Sequence, residues 1–124
     1  MLNFYGMRIY IGHSTGFDYQ KELYEPLKAS ELFKQHQILL PHEGESISQN
    51  SKDFYATIDL FVAEVSYPST GLGIELAWAA DAQRKILCVH RANKQPSMAL
   101  KTVCSDIRSY NDIEELIKII QSVT

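Results

Sequence analysis

The chain has 124 residues, of which 45% are hydrophobic and 22% are charged, and its net charge is −3. This composition is typical of a single globular domain, expected here over 1–124, and no apolar run approaches the roughly 20 residues that a membrane span requires. No cluster of Lys and Arg interleaved with aromatics is present, which argues against a nucleic-acid surface. Residues 1–6 lack the features of a secretory signal, so we expect a cytoplasmic protein with reduced Cys88 and Cys104.

Short apolar runs alternate along the chain with segments of helical periodicity. In chain order we predict a strand over 7–12, a helix over about 18–35, a strand over 37–41, a short helix near 51–57, a strand over 59–65, a helix over about 71–83, a strand over 85–90, a short helix near 96–103, a weak strand over 106–110 and a helix over about 112–122. The strands are apolar on both faces, as a parallel sheet covered by helices requires.

This pattern predicts an α/β fold: a doubly wound, flavodoxin-like or Rossmann-like sandwich of five parallel strands with helices on both faces. Ligands of such sheets bind beyond the carboxyl ends of the strands. The loops over 12–18, 41–50, 65–72 and 90–97 are therefore the candidate ligand-binding loops.

The segment DLFVAEVSYPSTGLGIELAWAAD, over 59–81, places a turn before an alanine-rich helix. Ser69 or Thr70 can cap that helix, and the unpaired N–H groups at its start favour an anion. Gly71 and Gly73 permit positive φ and a close approach of a ligand to the backbone. We therefore expect a binding turn here.

Glu75 stands near the start of the same helix, where it is either a solvated carboxylate or a reactive group. It does not occupy the capping-box position three residues after the cap, which holds Leu72 or Gly73. Its neighbours make the helix apolar nearly all round, which predicts a largely buried helix with its start at the crevice. A lone carboxylate at such a place indicates a nucleophile or an acid/base group.

Three segments resemble the nucleoside 2-deoxyribosyltransferase superfamily, and within it the 2'-deoxynucleoside 5'-phosphate N-hydrolases: RIYIGHS, DLFVAEVSYPSTGLGIELAWA and KILCVHR. The resemblance spans most of the chain. It implies that Glu75 attacks the anomeric carbon of a (deoxy)nucleoside 5'-monophosphate and expels the base, without a cofactor. Water in the hydrolases, or a second base in the transferases, then releases the sugar. An ionised carboxylate suits this chemistry because the transition state resembles an oxocarbenium ion.

The resemblance implies roles for further residues. Tyr10 matches the family tyrosine that bonds the catalytic glutamate, although it is otherwise an ordinary strand aromatic. Ser69 matches a serine that contacts phosphate in the hydrolases, where the transferases carry an aspartate; its simpler role is that of a helix cap. Ser97 is the nearest equivalent of a serine that reaches the phosphate of the neighbouring subunit, which implies a homodimer with shared active sites. Its simpler role is also that of a cap.

Two departures from the family pattern concern the first loop and the short helix. The loop GHSTG over 12–16 matches the hydrolase element Gly-Ser-Ile-Arg-Gly-Gly only in part, because no arginine follows and Phe17 replaces a glycine. Substrate contacts would then come from Gly12, His13, Ser14 and Thr15, unless the histidine is merely a solvated loop residue.

In the short helix, Ser51 stands where the family has an aspartate. Asp53 is the candidate substitute, although two residues along a helix correspond to a turn of about 200°. Glu64, the competing carboxylate near the crevice, is expected either to have a structural role or to support the catalytic residues without contacting substrate. The histidines and cysteines show no metal-ligand spacing, so no metal is expected.

A deoxyribosyltransferase and a non-catalytic nucleotide-binding module remain the alternative functions.

Overall fold

The structure is a computed structural model and describes residues 6–43 and 51–124. The later part of the predicted loop over 41–50 thus lies outside the described residues. Five strands form one sheet in the order β2-β1-β3-β4-β5: β1 (Arg8–His13), β2 (Gln37–Leu39), β3 (Leu60–Glu64), β4 (Lys85–Arg91) and β5 (Ile107–Tyr110). All neighbouring strands are parallel. The predicted α/β fold is confirmed, and its switch point lies between β1 and β3.

The helices connect these strands in the predicted order. They are a π-helical turn (Gln20–Tyr24), α1 (Glu25–Lys28), α2 (Glu31–Gln35), a 3-10 helix (Lys52–Thr57), α3 (Thr70–Asp81), a second 3-10 helix (Met98–Thr102) and α4 (Ile113–Ser122). None of these described helices has the length and apolar character needed to cross a membrane. The predicted single helix over 18–35 is interrupted because Ser30 adopts an extended backbone, with φ −89° and ψ 164°.

Two hydrophobic cores lie on opposite faces of the sheet, since side chains alternate along each strand. Ile9 and Ile11 of β1 face one core, which α4 and the helical segment over 20–35 cover. Tyr10 faces the other core, which α3 and the two 3-10 helices cover. The face on which Tyr10 lies is therefore the face that also carries α3 and Glu75.

The prediction that α3 is largely buried is wrong. Only Leu72, Leu76 and Ala79 are buried, and these residues recur with the period of one helical face. Ile74, on the outer side, is 47% exposed. The reason is that α3 forms a single layer on the sheet, so one stripe packs inward while Ile74 and Ala77 face outward.

Candidate active site

Glu75 and Tyr10 meet on the α3 side of the sheet. The Tyr10 hydroxyl donates a hydrogen bond of 3.1 Å to Oε1 of Glu75, which joins β1 to the first half of α3. The Tyr10 side chain is fully buried, whereas Glu75 is half-buried. The hydrogen bond predicted between these two residues is thus present, and the carboxylate is held in place while part of it faces solvent.

Tyr55 of the first 3-10 helix is a third member of this group. Its side chain is fully buried beside Tyr10, where the charge of Glu75 acts on it. The Tyr55 and Tyr10 rings are perpendicular, at 88°, with centroids 5.5 Å apart. The sequence did not indicate this role, because an aromatic in a short helix before a strand normally signals packing alone.

The electrostatic environment favours a carboxylate that titrates near neutrality. Burial raises the pKa of Glu75 to about 6, while the hydrogen bond from Tyr10 acts in the opposite direction. Burial, together with the nearby charge of Glu75, raises the pKa of both Tyr10 and Tyr55 well above the usual range. At neutral pH the site therefore contains an ionised carboxylate beside the protonated hydroxyl of Tyr10.

The start of α3 is capped by Ser69. Its hydroxyl oxygen accepts a hydrogen bond of 3.2 Å from the Leu72 N–H, and its carbonyl accepts one of 3.1 Å from the Gly73 N–H. Helix geometry leaves the N–H groups of Thr70 and Gly71 without an intrahelical partner. The simpler role predicted for Ser69 is present, and its hydroxyl proton remains available to a ligand.

Gly71 and Gly73 do not use the positive φ that glycine permits, because both lie within α3 in right-handed helical backbone. A Cβ atom at either position would meet nothing within 4 Å. Bare backbone is therefore exposed at both positions in the first turns of α3. The close approach of a ligand or partner that the sequence indicated remains sterically possible.

At Gly12 the surrounding side chains leave no room for a Cβ atom. An added Cβ would lie 2.5 Å from a ring carbon of Phe61 and 2.8 Å from a methyl carbon of Leu72. The absence of a side chain allows the first turn of α3 to rest directly on β1. Gly12 is buried, so the structure gives it a packing role, and contact with a ligand stays a prediction.

His13 is buried, and both of its ring nitrogens have partners. Nδ1 lies 2.8 Å from the Ser14 carbonyl oxygen, and Nε2 lies 2.6 Å from the Tyr24 hydroxyl. A carbonyl only accepts, so Nδ1 carries the proton and Nε2 accepts from Tyr24. Burial lowers the pKa of His13, which favours this neutral form. The geometry supports a role in holding the loop, and a substrate contact stays a prediction.

Ser14 and Thr15 differ in their exposure. Ser14 is buried, and its hydroxyl oxygen accepts a hydrogen bond of 2.9 Å from the Gly16 N–H. Thr15 is exposed at the tip of the same loop, directly beyond the carboxyl end of β1. Of the hydroxyls predicted to bind substrate from this loop, that of Thr15 is the more accessible.

A groove of about 500 Å³ runs between α3 and the segment over 95–103. Ser69, Gly73 and Ser97 all line it. Glu75 lies about 200° around the helix from Gly73, so within one chain the groove is on the side of α3 away from the carboxylate. Ser97 is exposed and caps the second 3-10 helix, where its hydroxyl accepts a hydrogen bond of 3.2 Å from the Ala99 N–H.

The acidic residues near the crevice occupy unequal environments. Asp53 is exposed, and in the part of the chain that the structure describes its carboxylate has no hydrogen bond to Tyr10 or Glu75; Ser51 caps its N–H at 3.2 Å. Glu64 is buried and accepts bonds from the Ser66 N–H (2.7 Å), the Ser66 hydroxyl (3.0 Å) and the Tyr110 hydroxyl.

Glu64 therefore ties the loop after β3 to β5, which is a structural role of the kind that the sequence predicted. Across residues 6–43 and 51–124, no three His, Cys, Asp or Glu side chains lie together as a metal site requires.

Known proteins that are similar to this chain have names that agree with the resemblance seen in the motifs around Glu75. The 5-hydroxymethyl-dUMP N-hydrolase of Tetraodon nigroviridis is 38% identical over 55 residues, covering 39% of this chain and 39% of that relative. The Esox lucius protein of the same name is 28% identical over 81 residues, covering 65% of this chain and 56% of the relative. The chain thus spans less than two thirds of either curated relative.

Among solved structures, the Clostridium botulinum CMP N-glycosidase BcmB is similar in fold, with a TM-score of 0.65 and 20% identity over 94% of this chain and 99% of that one. No protein-family model matches the chain. The two curated relatives, which are N-hydrolases by name, confirm the resemblance that the motifs indicated, and this neighbour confirms the fold.

Proposed function

We propose that this protein hydrolyses the N-glycosidic bond of a (deoxy)nucleoside 5'-monophosphate and releases the nucleobase, with Glu75 as the nucleophile. The observation that carries the proposal is the half-buried Glu75 carboxylate, held by the Tyr10 hydroxyl at 3.1 Å beside the switch point of the sheet. The names of the two curated relatives and of the structural neighbour support the same reaction class.

In the first step a Glu75 carboxylate oxygen bonds to the anomeric carbon, and the bond from that carbon to the base nitrogen breaks. The electron pair of the broken bond leaves with the base, which takes up a proton. The ionised carboxylate favours this step because positive charge develops on the sugar in the transition state. Tyr10 keeps the carboxylate oriented and remains protonated, since burial and the charge of Glu75 raise its pKa.

In the second step water attacks the same carbon, the bond between sugar and Glu75 breaks, and the water loses one proton. The products are the sugar phosphate and the regenerated carboxylate. Transfer to a second base would follow the same course with a base nitrogen in place of water. Ser69 favours a phosphorylated substrate, because an uncharged hydroxyl at a helix start can donate to phosphate, which a carboxylate there would repel.

We further propose that the protein is a homodimer whose partner covers the outer side of α3. Support comes from two exposed apolar side chains, Ile74 of α3 at 47% exposure and Met98 of the second 3-10 helix at 66% exposure. Light scattering of purified wild type and Ile74→Asp tests this. A dimer that becomes a monomer in the variant supports the proposal, whereas a monomeric wild type contradicts it.

A cytoplasmic location is the accompanying proposal. It is supported by Cys104, whose thiol donates to the carbonyl oxygens of Ile86 at 3.3 Å and Asp106 at 3.2 Å, as only a reduced cysteine can. Buried Cys88 is also a free thiol. Reduced thiols persist in the cytosol. Cell fractionation with an antibody against the protein measures the location directly.

The decisive experiment measures free base by chromatography after incubation with a panel of deoxy- and ribonucleoside 5'-monophosphates. Wild type, Glu75→Gln and the control Glu114→Gln, which changes an exposed glutamate of α4, are run in parallel. Parallel reactions contain an added acceptor base. Base release by wild type and by the control, but not by Glu75→Gln, is the expected result.

A new nucleotide formed only with acceptor base would make the protein a transferase. Nucleotide binding without turnover of any panel member would make it a binding module. Base release by Glu75→Gln at the wild-type rate would remove Glu75 from the mechanism.

A further inference from the structure

Tyr24 is the last residue of the π-helical turn, and its hydroxyl bonds to the loops that follow β1 and β2. The side chain is fully buried. The hydroxyl lies 2.6 Å from Nε2 of His13, at the end of β1, and accepts a hydrogen bond of 3.2 Å from the backbone N–H of His42, in the turn after β2. Turns of π-helix are uncommon and are frequently found at functional sites.

Both contacts of the Tyr24 hydroxyl can exist at the same time. A hydroxyl has one proton to donate and two lone pairs that accept. The proton goes to Nε2 of His13, because the other ring nitrogen donates to the Ser14 carbonyl at 2.8 Å. A lone pair then accepts from the His42 N–H. Burial raises the pKa of Tyr24, so the phenol keeps the proton that it donates.

The loop after β1 is held to Tyr24 by a continuous series of hydrogen bonds. His13 holds the carbonyl of Ser14, and the hydroxyl oxygen of Ser14 accepts a bond of 2.9 Å from the Gly16 N–H. Thr15 lies between these last two residues and is exposed. The position of the exposed loop tip therefore depends on the buried contact between His13 and Tyr24.

The described part of the loop after β2, over 40–43, is attached to the helical segment in two ways. One is the bond from the His42 N–H to Tyr24, and the other is an ion pair of 2.8 Å between Lys28 and Glu43. The ion-pair side chains are 41% and 36% exposed, and exposed ion pairs contribute little. We therefore expect the Tyr24 hydroxyl to be the stronger attachment.

We propose that Tyr24 is a positioning residue for substrate binding, whose hydroxyl holds the loops after β1 and β2 together in the arrangement that receives the nucleotide. This inference rests on the proposed function, in which both loops border the substrate because they follow the carboxyl ends of strands beside the switch point. Loops that are already held in one arrangement do not have to be ordered when a ligand binds, which increases affinity. Tyr24 lies on the opposite face of the sheet from Tyr10, so its effect should be on binding and not on the chemistry at Glu75.

The substitution Tyr24→Phe tests this, because it keeps the ring and removes the hydroxyl. Calorimetry measures the Kd of dAMP, dCMP, dGMP and dUMP in the Glu75→Gln background, where no base should be released, and steady-state kinetics uses the otherwise wild-type chain. If the loops then occupy the binding arrangement about a tenth of the time, Kd and KM rise about tenfold. The value of kcat should change by less than about twofold.

The control is Lys28→Gln, which breaks only the exposed ion pair of the same loop and should change Kd by less than about twofold. Amide hydrogen exchange adds a direct reading of the loop. In Tyr24→Phe the His42 N–H loses its acceptor, and its exchange should become at least about tenfold faster. A residue that only stabilises the fold would lower the melting temperature and leave Kd unchanged.

An unchanged Kd and KM in folded Tyr24→Phe overturns the inference, and so does a fall in kcat without a rise in KM. If wild type releases no base but a nucleotide binds, the proposed hydrolysis fails, whereas Kd still decides the role of Tyr24. Binding of no panel member by any form of the protein overturns both.

If Tyr24→Phe does not fold, His13→Phe removes the acceptor from the other side of the same hydrogen bond. The same rise in Kd is then expected, together with a shift of the ring Cζ resonance of Tyr24 in the NMR spectrum. An unchanged Kd in this variant overturns the inference.

Discussion

Replacing Glu75 with glutamine should stabilise the protein while removing its activity. The fold raises the pKa of this carboxyl from 4.5 to about 6, mainly through burial. Below pH 4.5 both the folded and the unfolded chain carry a neutral carboxylic acid at this position, so the group does not lower the free energy of unfolding. Above the higher value the folded chain must contain a partly desolvated charge, and the penalty is then fully present.

The size of the effect follows from the pKa difference. At about 1.4 kcal/mol for each factor of ten, the difference corresponds to about 2 kcal/mol. Because the Glu75 side chain is only half-buried, solvent screening reduces this to about 1 kcal/mol. For a domain of this length, about 1 kcal/mol raises the melting temperature by roughly 4 °C.

Thermal unfolding of wild type and Glu75→Gln, followed by circular dichroism at pH 4 and pH 8, measures the difference. Glu75→Gln should melt about 4 °C higher at pH 8 and at nearly the same temperature as wild type at pH 4. Glu114→Gln reports the effect of removing an exposed charge. A gain that is equally large at pH 4, or a loss at pH 8, would refute the reasoning, because neither depends on ionisation of a buried carboxyl.

Five further substitutions, at four positions, follow from the geometry. Ser69→Ala should lower the free energy of unfolding by about 1 kcal/mol through loss of the helix cap, which chemical denaturation measures. Ser69→Asp keeps the cap, but repulsion between the new carboxylate and the phosphate should raise KM for a monophosphate at least tenfold, which steady-state kinetics measures. Gly12→Ala should lower the free energy of unfolding by about 1 to 3 kcal/mol because its Cβ meets the Phe61 ring. Gly73→Ala, whose Cβ lies in open space, should raise the free energy of unfolding by about 0.5 to 1 kcal/mol. Equal melting temperatures of these two variants would contradict the reasoning. Glu64→Gln should lower the free energy of unfolding by about 2 kcal/mol, since a buried acceptor of several hydrogen bonds becomes partly a donor.

The sheet was predictable from sequence because each strand is a short apolar run between turn residues, and the parallel order follows from the alternation with helices. Ser69 as a cap and the contact between Tyr10 and Glu75 were also predictable, since the cap is a local signal and the contact follows from matched motifs. The backbone of Gly71 was not, because the permissive nature of glycine gives no information on which conformation is adopted.

Two other features lie beyond local patterns. The exposure of Ile74 depends on how many layers cover α3, and periodicity alone does not contain that information. The place of Tyr55 depends on how the 3-10 helix packs against α3 and β1, far from it in sequence. An aromatic at that point of the sequence indicates only packing, so its place beside Tyr10 is visible only in the folded structure.

Because Gly12 has no side chain, β1 and the start of α3 are in direct contact, and this contact fixes the distance between them. Tyr10, two residues earlier on β1, and Glu75, on the helix that rests on Gly12, are separated by a gap that this contact sets. A side chain at position 12 would push α3 away from β1 and so move Glu75 away from the Tyr10 hydroxyl. Substitutions there are thus expected to impair folding and the alignment of Glu75 together, so that neither can be adjusted through this position without disturbing the other.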